Sequence, residues 1–277
     1  MKESQIAINS VSTAEAALEE TVAAYSEASF TNVEFPLSRV KAYLDRGHSI
    51  QETKQLLDTH GMRCIGGFET VIECFSSAES QQGNHARVVE NAQLLSELGA
   101  TILVVGTDGP PNLKDVPDPL DQIARVYGDV AAQVEQYGVT LCLEFNWSPV
   151  VKSVRAACEV ARRSKKDNVG VLFDTAHYHC TPSKLDQLNA DNVPYIRHVH
   201  VNDMRDKPGE LCDCNADRVL PGDGCLDLNQ ILSTIEQHGY NGYFAIEMFN
   251  KALWDMPVAD AATLMYQSMK HLCDTLP

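Results

Sequence analysis

Three stretches in the second half of the chain decide the fold: VTLCLEF at 139–145, VGVLFDTAH at 169–177 and IRHVHVND at 196–203. Each is a short run of β-branched and apolar residues that ends in charged or polar ones. Strands that are apolar nearly throughout are typical of a parallel sheet covered on both faces by helices. We therefore interpret the three stretches as parallel strands whose charged ends meet at one edge of the sheet.

The same alternation of strand and helix extends through the whole chain. Five further strands are predicted at 5–9, 31–35, 62–68, 101–106 and 243–249. Helices are predicted at 13–28, 49–60, 84–98, 118–137, 149–164, 227–238 and 257–273, with a short helix from Thr181. Eight such units without a linker predict a single (β/α)8 TIM barrel, one α/β domain over residues 1–277. A doubly wound open sheet is the alternative, but AINSVSTAEA (7–16) lacks the glycine-rich phosphate loop that it would need.

Composition restricts the partners and the compartment. The net charge of −16 opposes binding to phosphates, so we expect neither nucleic acid nor an anionic membrane as a partner. The first 20 residues contain no apolar signal core, and the nine cysteines form no CxxC pair, which predicts reduced thiols in the cytoplasm. A zinc site at the CxC of Cys212 and Cys214 would need two more ligands nearby.

Four predicted strands end in an ionisable residue that can point into the barrel. These residues are Glu144, Asp174, His200 and Glu247. In TIM barrels the chemistry lies at the carboxyl ends of the strands, and side chains alternate along a strand. By that alternation each of the four residues has a partner on its own face, one layer deeper: Cys142, Leu172, His198 and Ala245.

Three buried carboxylates at one level would repel one another and lose hydration worth several kcal/mol each. A single divalent cation removes this problem, and three carboxylates with one imidazole suit Mn²⁺, which we favour, or Co²⁺, Mg²⁺ or Zn²⁺. The alternative is that these groups form salt bridges at the rim with Arg197, Arg205 or Lys207.

Further residues are candidates for contacts with a substrate. His177 follows Asp174 closely and could hydrogen-bond a substrate oxygen, whereas His198, a layer below His200, is interpreted as a packed core histidine. The segment at 204–228 is too long for an ordinary strand–helix loop, and its RVLPGDG turn predicts an ordered functional loop. Arg218 in this turn is a candidate to bind a substrate oxygen, with a plain loop salt bridge as the alternative. Glu34, which ends the second strand, and Trp147 could line the same substrate site at the mouth of the barrel.

LCLEFN (141–146), VGVLFDTAHYH (169–179), HVHVND (198–203), DRVLPGDGCLDL (217–228) and AIEMF (245–249) resemble the xylose-isomerase-like TIM-barrel superfamily. Within it the resemblance is strongest to the inosose isomerases (2-keto-myo-inositol isomerases), over about 139–262. The resemblance implies metal ligands at the same four residues that the strand ends select, and substrate contacts at His177 and Arg218. One departure is His198, where inosose isomerases tend to carry an apolar residue.

The sequence and the resemblance together predict a metal-dependent isomerase or epimerase of a keto-sugar or keto-polyol, acting through an enediolate. Glu144 and Glu247 would be the acid/base pair. A dehydratase of the 3-dehydroshikimate type and a non-enzymatic sugar-binding barrel are alternatives. An apurinic endonuclease is a third, but the histidines that it needs on strands three and four are absent from GGFET (66–70) and VVGTDG (104–109). The partner we expect is a small molecule, and a homo-oligomer is left open.

Overall fold

Eight parallel strands close into a barrel in the computed structural model, which describes residues 1–276. The strands are β1 (Ile6–Asn9), β2 (Asn32–Pro36), β3 (Arg63–Phe68), β4 (Ile102–Val105), β5 (Thr140–Glu144), β6 (Val169–Asp174), β7 (Ile196–Val201) and β10 (Phe244–Ile246). Around the barrel β1 pairs with β2 and with β10, and β10 pairs with β7. All eight predicted strands and the predicted (β/α)8 barrel are confirmed. Pro277, the last residue of the predicted domain, lies outside the described residues.

Helices cover the outside of the barrel. They are α1 (Leu18–Glu27), α2 (Leu37–Asp45), α3 (Ile50–Thr59), α4 (Ala78–Glu97), α5 (Pro119–Val134), α6 (Val154–Ser164), α7 (Thr175–Cys180), α8 (Leu228–Gln237), α9 (Lys251–Trp254) and α10 (Val258–Thr275). Outward-facing strand residues such as Val199 and Val201 pack with them in one large core. Among residues 1–276, no helix combines the length and hydrophobicity that crossing a bilayer requires.

The inside of the barrel holds separate, smaller apolar layers. Ile102, Val104, Cys142 and Leu172 form one cluster, and Ala7, Ile65 and Ala245 form another. These layers fill the barrel below the ends of the strands and leave the polar groups at its carboxyl-terminal mouth.

Several predicted helix boundaries are wrong. The short helix predicted from Thr181 instead begins at Thr175, directly after β6, because the Asp174 side chain accepts a hydrogen bond from the His177 amide and caps it. The helix predicted at 149–164 begins only at Val154, where the Ser153 side chain accepts from the Ala156 amide. The sequence patterns do not predict helices α2 and α9.

The long segment after β7 contains a small antiparallel ladder, β8 (Asp203–Met204) with β9 (Arg218–Val219). The Asp203 carboxylate anchors it by accepting hydrogen bonds from four backbone amides, those of Met204, Gly222, Gly224 and Leu226, at 2.8–3.1 Å. The segment is therefore ordered, and it directs the Arg218 side chain into the mouth of the barrel.

Candidate metal centre and active site

Four side chains from four strand ends meet at the mouth of the barrel. Glu144, Asp174, His200 and Glu247 each offer one ligand atom, and these atoms all lie within 4.8 Å of one another. All four residues are buried. The structure thus brings together the four residues for which the sequence predicts metal binding.

Asp174 is held rigidly at the junction of β6 and α7. Its Oδ1 accepts from the backbone amide of His177 at 2.9 Å, and its Oδ2 accepts from Nδ2 of Asn202 at 3.2 Å. Burial by itself raises the pKa of Asp174, but the charges of Arg218, His177 and His200 outweigh it and lower the pKa to about 2. Asp174 is therefore an ionised carboxylate at neutral pH.

One ring nitrogen of His200 faces the carboxylates of the cluster, and the other is hydrogen-bonded to Glu34. Its Nε2 lies 2.8 Å from Oε2 of Glu34, a hydrogen-bond distance. Its buried Nδ1 lies 3.2 Å from Oε2 of Glu247 and 3.9 Å from Oδ2 of Asp174, yet it has no hydrogen-bond partner. An unpaired imidazole nitrogen that faces two carboxylates is an arrangement that suits a metal ion.

Glu247 is fixed through both of its carboxylate oxygens. Oε1 accepts from Nδ2 of Asn9 at 2.9 Å, and Oε2 accepts from Nη1 of Arg218 at 2.8 Å. Burial raises the pKa of Glu247, but the opposing influence of His200 and Arg218 prevails and lowers it.

The charges of this cluster explain why a divalent cation fits it. Glu144, Asp174 and Glu247 together carry a formal charge of −3 when ionised, and Arg218 contributes +1 from inside the same cluster. Protonated His177, which contacts Glu144, and ionised Glu34, which contacts His200, add +1 and −1 and cancel. The remainder of −2 is what one divalent cation neutralises. The donor set of three carboxylates and one imidazole is accepted by Mn²⁺, Co²⁺, Mg²⁺ and Zn²⁺ alike.

Glu144, the remaining carboxylate of the cluster, forms a pair with His177. Oε1 of Glu144 lies 3.0 Å from Nε2 of His177, and Nδ2 of Asn146 lies 3.1 Å from the other ring nitrogen. Burial raises the pKa of Glu144 and Glu247 raises it further, although His177 and His200 act in the opposite direction. Burial lowers the pKa of His177, but Asp174, Cys214 and Glu144 together raise it to about 10.

A cavity of about 260 Å³ opens directly onto these groups. Glu144, His177, His200, Arg218 and Glu247 line its polar side. Its other walls include Phe68, Val104, Trp147 and Phe249, with Asn146, Cys214 and Asn215 completing the lining. The cavity is therefore lined by apolar side chains as well as by carboxylates.

Three of the other four predicted site residues line the cavity, and one does not. His177, Arg218 and Trp147 line the cavity as expected. Glu34 does not line it: the residue is fully buried and lies against His198 and His200. The clusters of potential metal ligands found among residues 1–276 include neither Cys212 nor Cys214.

Sequence reasoning missed the asparagines that support the site. Asn9 contacts Glu247, Asn146 contacts His177, and Asn202 contacts Asp174. Each lies at or just after the end of a predicted strand, so the strand-end argument that selected the carboxylates could have been applied to amides as well.

Curated proteins of known name match part of this chain. The inosose isomerase of Halalkalibacterium halodurans is 31% identical over 140 residues, or 50% of this chain and 49% of that protein. The inosose isomerase of Bacillus subtilis is 32% identical over 130 residues, covering 46% of each chain. An inosose dehydratase of Bacillus licheniformis is 25% identical over 130 residues, or 43% of this chain and 42% of that protein. The chain therefore spans about half the length of the curated relatives it matches.

Solved structures show the same fold along the whole chain. The IolI protein, crystallised with a zinc atom, matches with a TM-score of 0.88 at 20% identity, covering 99% of each chain. D-psicose 3-epimerase from Clostridium cellulolyticum matches with a TM-score of 0.75 at 16% identity, covering 98% of this chain and 99% of that one. The model of the xylose isomerase-like TIM barrel family matches residues 22–275, and the chain belongs to that family.

Proposed function

We propose that this protein is a divalent-metal-dependent isomerase or epimerase of an uncharged cyclic keto-polyol, with inosose (2-keto-myo-inositol) as the favoured substrate. The observation that carries the proposal is the cluster of three carboxylates and one histidine at the wall of a small cavity. The names of the inosose isomerases that match about half of the chain support the choice of substrate.

Glu144, Asp174, His200 and Glu247 would hold the cation. When bound, a divalent cation supplies Lewis-acid stabilisation of negative charge on neighbouring substrate oxygens. Asp174 and His200 are fixed by their neighbours and would serve chiefly as ligands.

The two glutamates suit the transfer of a proton next to the substrate carbonyl. Their environments push the two pKa values apart, since the pKa of Glu144 is raised and that of Glu247 is lowered. Pairs of this kind divide the acid and base roles. Glu247, ionised, would remove the proton from the carbon, and Glu144 would return one to the neighbouring carbon. His177 and Arg218 would bind substrate oxygens and stabilise the developing charge.

The charge of the cavity favours a neutral substrate. Of the lining residues within 1–276, only Arg218 and the two histidines can carry a positive charge, and Arg218 and His177 already contact carboxylates. An acidic substrate such as 3-dehydroshikimate would bring a further carboxylate without a free cation to meet it. Phe68 and Trp147 offer instead an apolar surface for the face of a carbon ring.

The geometry of the mouth also disfavours a sugar-binding protein and an endonuclease. A sugar-binding protein with a purely structural metal site would have its ligands closed off, whereas Glu144, His200 and Glu247 line a cavity. An endonuclease with several zinc ions would need further histidines at the ends of β3 and β4, which are formed by Phe68 and Val105.

Metal analysis combined with turnover tests the proposal. The purified protein is analysed for metal, then incubated with 2-keto-myo-inositol in D₂O with Mn²⁺ added. We expect about one equivalent of metal, metal-dependent uptake of deuterium and a new keto-inositol. Loss of water from the substrate would point to a dehydratase, whereas conversion with full retention of the original hydrogen would indicate a hydride shift. Failure to bind any metal, without turnover, would refute the proposal.

A further inference from the structure

We propose that Glu34 is a positioning residue that fixes the imidazole of His200 in the metal centre, and that His198 holds Glu34 in place. The inference rests on the proposed function in that it takes His200 as a metal ligand. It assigns to Glu34 a role different from the substrate contact that its place at a strand end predicts.

A single carboxylate oxygen joins the three residues. Oε2 of Glu34 lies 2.8 Å from Nε2 of His200 and 3.1 Å from Nε2 of His198. Because a carboxylate oxygen only accepts, each histidine must carry a hydrogen on Nε2 and donate it. The Nε2 hydrogen bond of His200 leaves its Nδ1 facing Glu247 and Asp174. Fixing one ring nitrogen in this way sets which nitrogen of a histidine can bind a metal.

Glu34 reaches His200 across the inside of the barrel. β2 and β7 are not neighbours, because β1 and β10 lie between them. These two strands contribute Ala7 and Ala245 to the interior, and Ala245 is in register with His200. The small alanine side chains leave room for the Glu34 side chain. A leucine or phenylalanine at either position would occupy that space.

Packing alone does not account for an acidic residue at this depth. Glu34 and His198 are fully buried, and His200 is 1% exposed. Burying a charged carboxylate costs several kcal/mol unless hydrogen bonds compensate. Elsewhere the barrel interior is filled by apolar residues such as Leu172. The hydrogen bonds of Glu34 therefore explain its presence better than its volume does.

The test measures metal affinity and ring geometry, without a substrate. Full-length protein freed of metal is titrated with Co²⁺ and followed by its visible spectrum. We expect Glu34→Leu to weaken Co²⁺ binding by about 10- to 100-fold, the range known for partners of metal-bound histidines. Glu34→Gln keeps one acceptor oxygen and should lose less. His198→Leu should cause a smaller loss than Glu34→Leu, because it frees Glu34 without removing it.

A second measurement is independent of metal. In protein labelled with ¹⁵N-histidine, the Nε2 hydrogen of His200 should give a slowly exchanging downfield NMR signal, and Glu34→Leu should abolish it. Cys142→Ala is the matched control, because it also alters the barrel interior but lies outside the metal cluster. It should leave both the Co²⁺ affinity and the His200 signal unchanged.

The outcomes separate the inference from the proposed function. If the parent protein binds no Co²⁺, the proposed metal centre fails, while the NMR signal still decides whether Glu34 fixes the ring. A folded Glu34→Leu variant with unchanged affinity and an unchanged signal overturns the inference. The inference is also overturned if the parent protein binds a second equivalent of Co²⁺ and Glu34→Leu does not, since Glu34 would then be a metal ligand itself.

Discussion

The Arg218 guanidinium donates hydrogen bonds to both the side chain and the main chain of Glu247. Nη1 of Arg218 donates to Oε2 of Glu247 at 2.8 Å and to the Glu247 carbonyl oxygen at 3.0 Å. The same nitrogen lies 3.2 Å from Oδ2 of Asp174. A residue from the long segment after β7 is thereby part of the carboxylate cluster, so folding of that segment and assembly of the site depend on each other.

We expect Arg218→Leu to destabilise the metal-free protein by about 3–5 kcal/mol, because it leaves two buried carboxylates without their countercharge. Added Mn²⁺ should recover part of this loss, since the cation supplies positive charge at the same place. Urea unfolding with and without Mn²⁺ measures both effects. Arg125→Leu is the control: its ion pair with Asp121 is exposed, and loss of such a pair costs about 0–1 kcal/mol. Equal stability of the two variants would contradict this account of Arg218.

The stability of the metal-free protein should fall as the pH rises from about 6.5 to about 10. His177 has its pKa raised from 6.5 to about 10, because the nearby carboxylates outweigh the effect of burial. Because the pKa of His177 is higher in the folded protein, its full stabilising contribution is present below pH 6.5, where the residue is protonated in both the folded and the unfolded protein. The contribution decreases as the pH rises and is lost once the pH passes 10.

His177→Gln should remove part of this pH dependence, which urea unfolding between pH 6 and pH 10.5 would measure; the rest should remain because Glu247 and Glu34 also raise the pKa of His200. His271→Gln, on an exposed face of α10, should keep the slope of the parent protein. An unchanged slope in His177→Gln would mean that His177 does not contribute to the pH dependence.

The strands and the four residues of the carboxylate–histidine cluster could be predicted because both follow from local patterns. A run of β-branched residues predicts a strand. A charged residue at the carboxyl end of that strand is expected to lie at the mouth of the barrel. The depth of Glu34 could not be predicted, because it depends on the stagger between strands, including a register shift between Val33 and Glu34. The β8–β9 ladder has two residues per strand, too few for any periodicity. Helix α2 begins directly after Pro36, with no loop to mark it.

Replacing either proposed acid/base residue should stop proton transfer. Glu144→Gln and Glu247→Gln are each expected to lower kcat by roughly 10²–10⁴-fold, the usual contribution of a general acid or base. Deuterium uptake from D₂O into substrate should fall in parallel. Glu210→Gln, an exposed residue of the same segment as Arg218, serves as the control with full activity. Full deuterium uptake in either variant would exclude that glutamate from the proton transfer.

Trp147 should contribute to substrate binding more than to the chemical step. Trp147 lines the cavity and packs against the apolar layer formed by Ile102, Val104, Cys142 and Leu172. Trp147→Ala is therefore expected to raise KM roughly tenfold with kcat little changed, as loss of apolar contact predicts. Trp254→Ala, which removes the chain's other tryptophan outside the cavity, should change neither constant. A fall in kcat alone would assign Trp147 to the reaction itself.

Asp203 should control the site from a distance through the backbone of the segment that carries Arg218. Its carboxylate accepts from four amides, among them those of Gly222 and Gly224. Asp203→Ala leaves these donors unpaired and is expected to cost about 1–3 kcal/mol and to lower activity. Gly224→Ala should act similarly, because its added Cβ would collide with the Asp203 carboxylate. Hydrogen exchange of the Gly222 and Gly224 amides measures the effect directly, and unchanged protection in Asp203→Ala would show that the turn is held by other contacts.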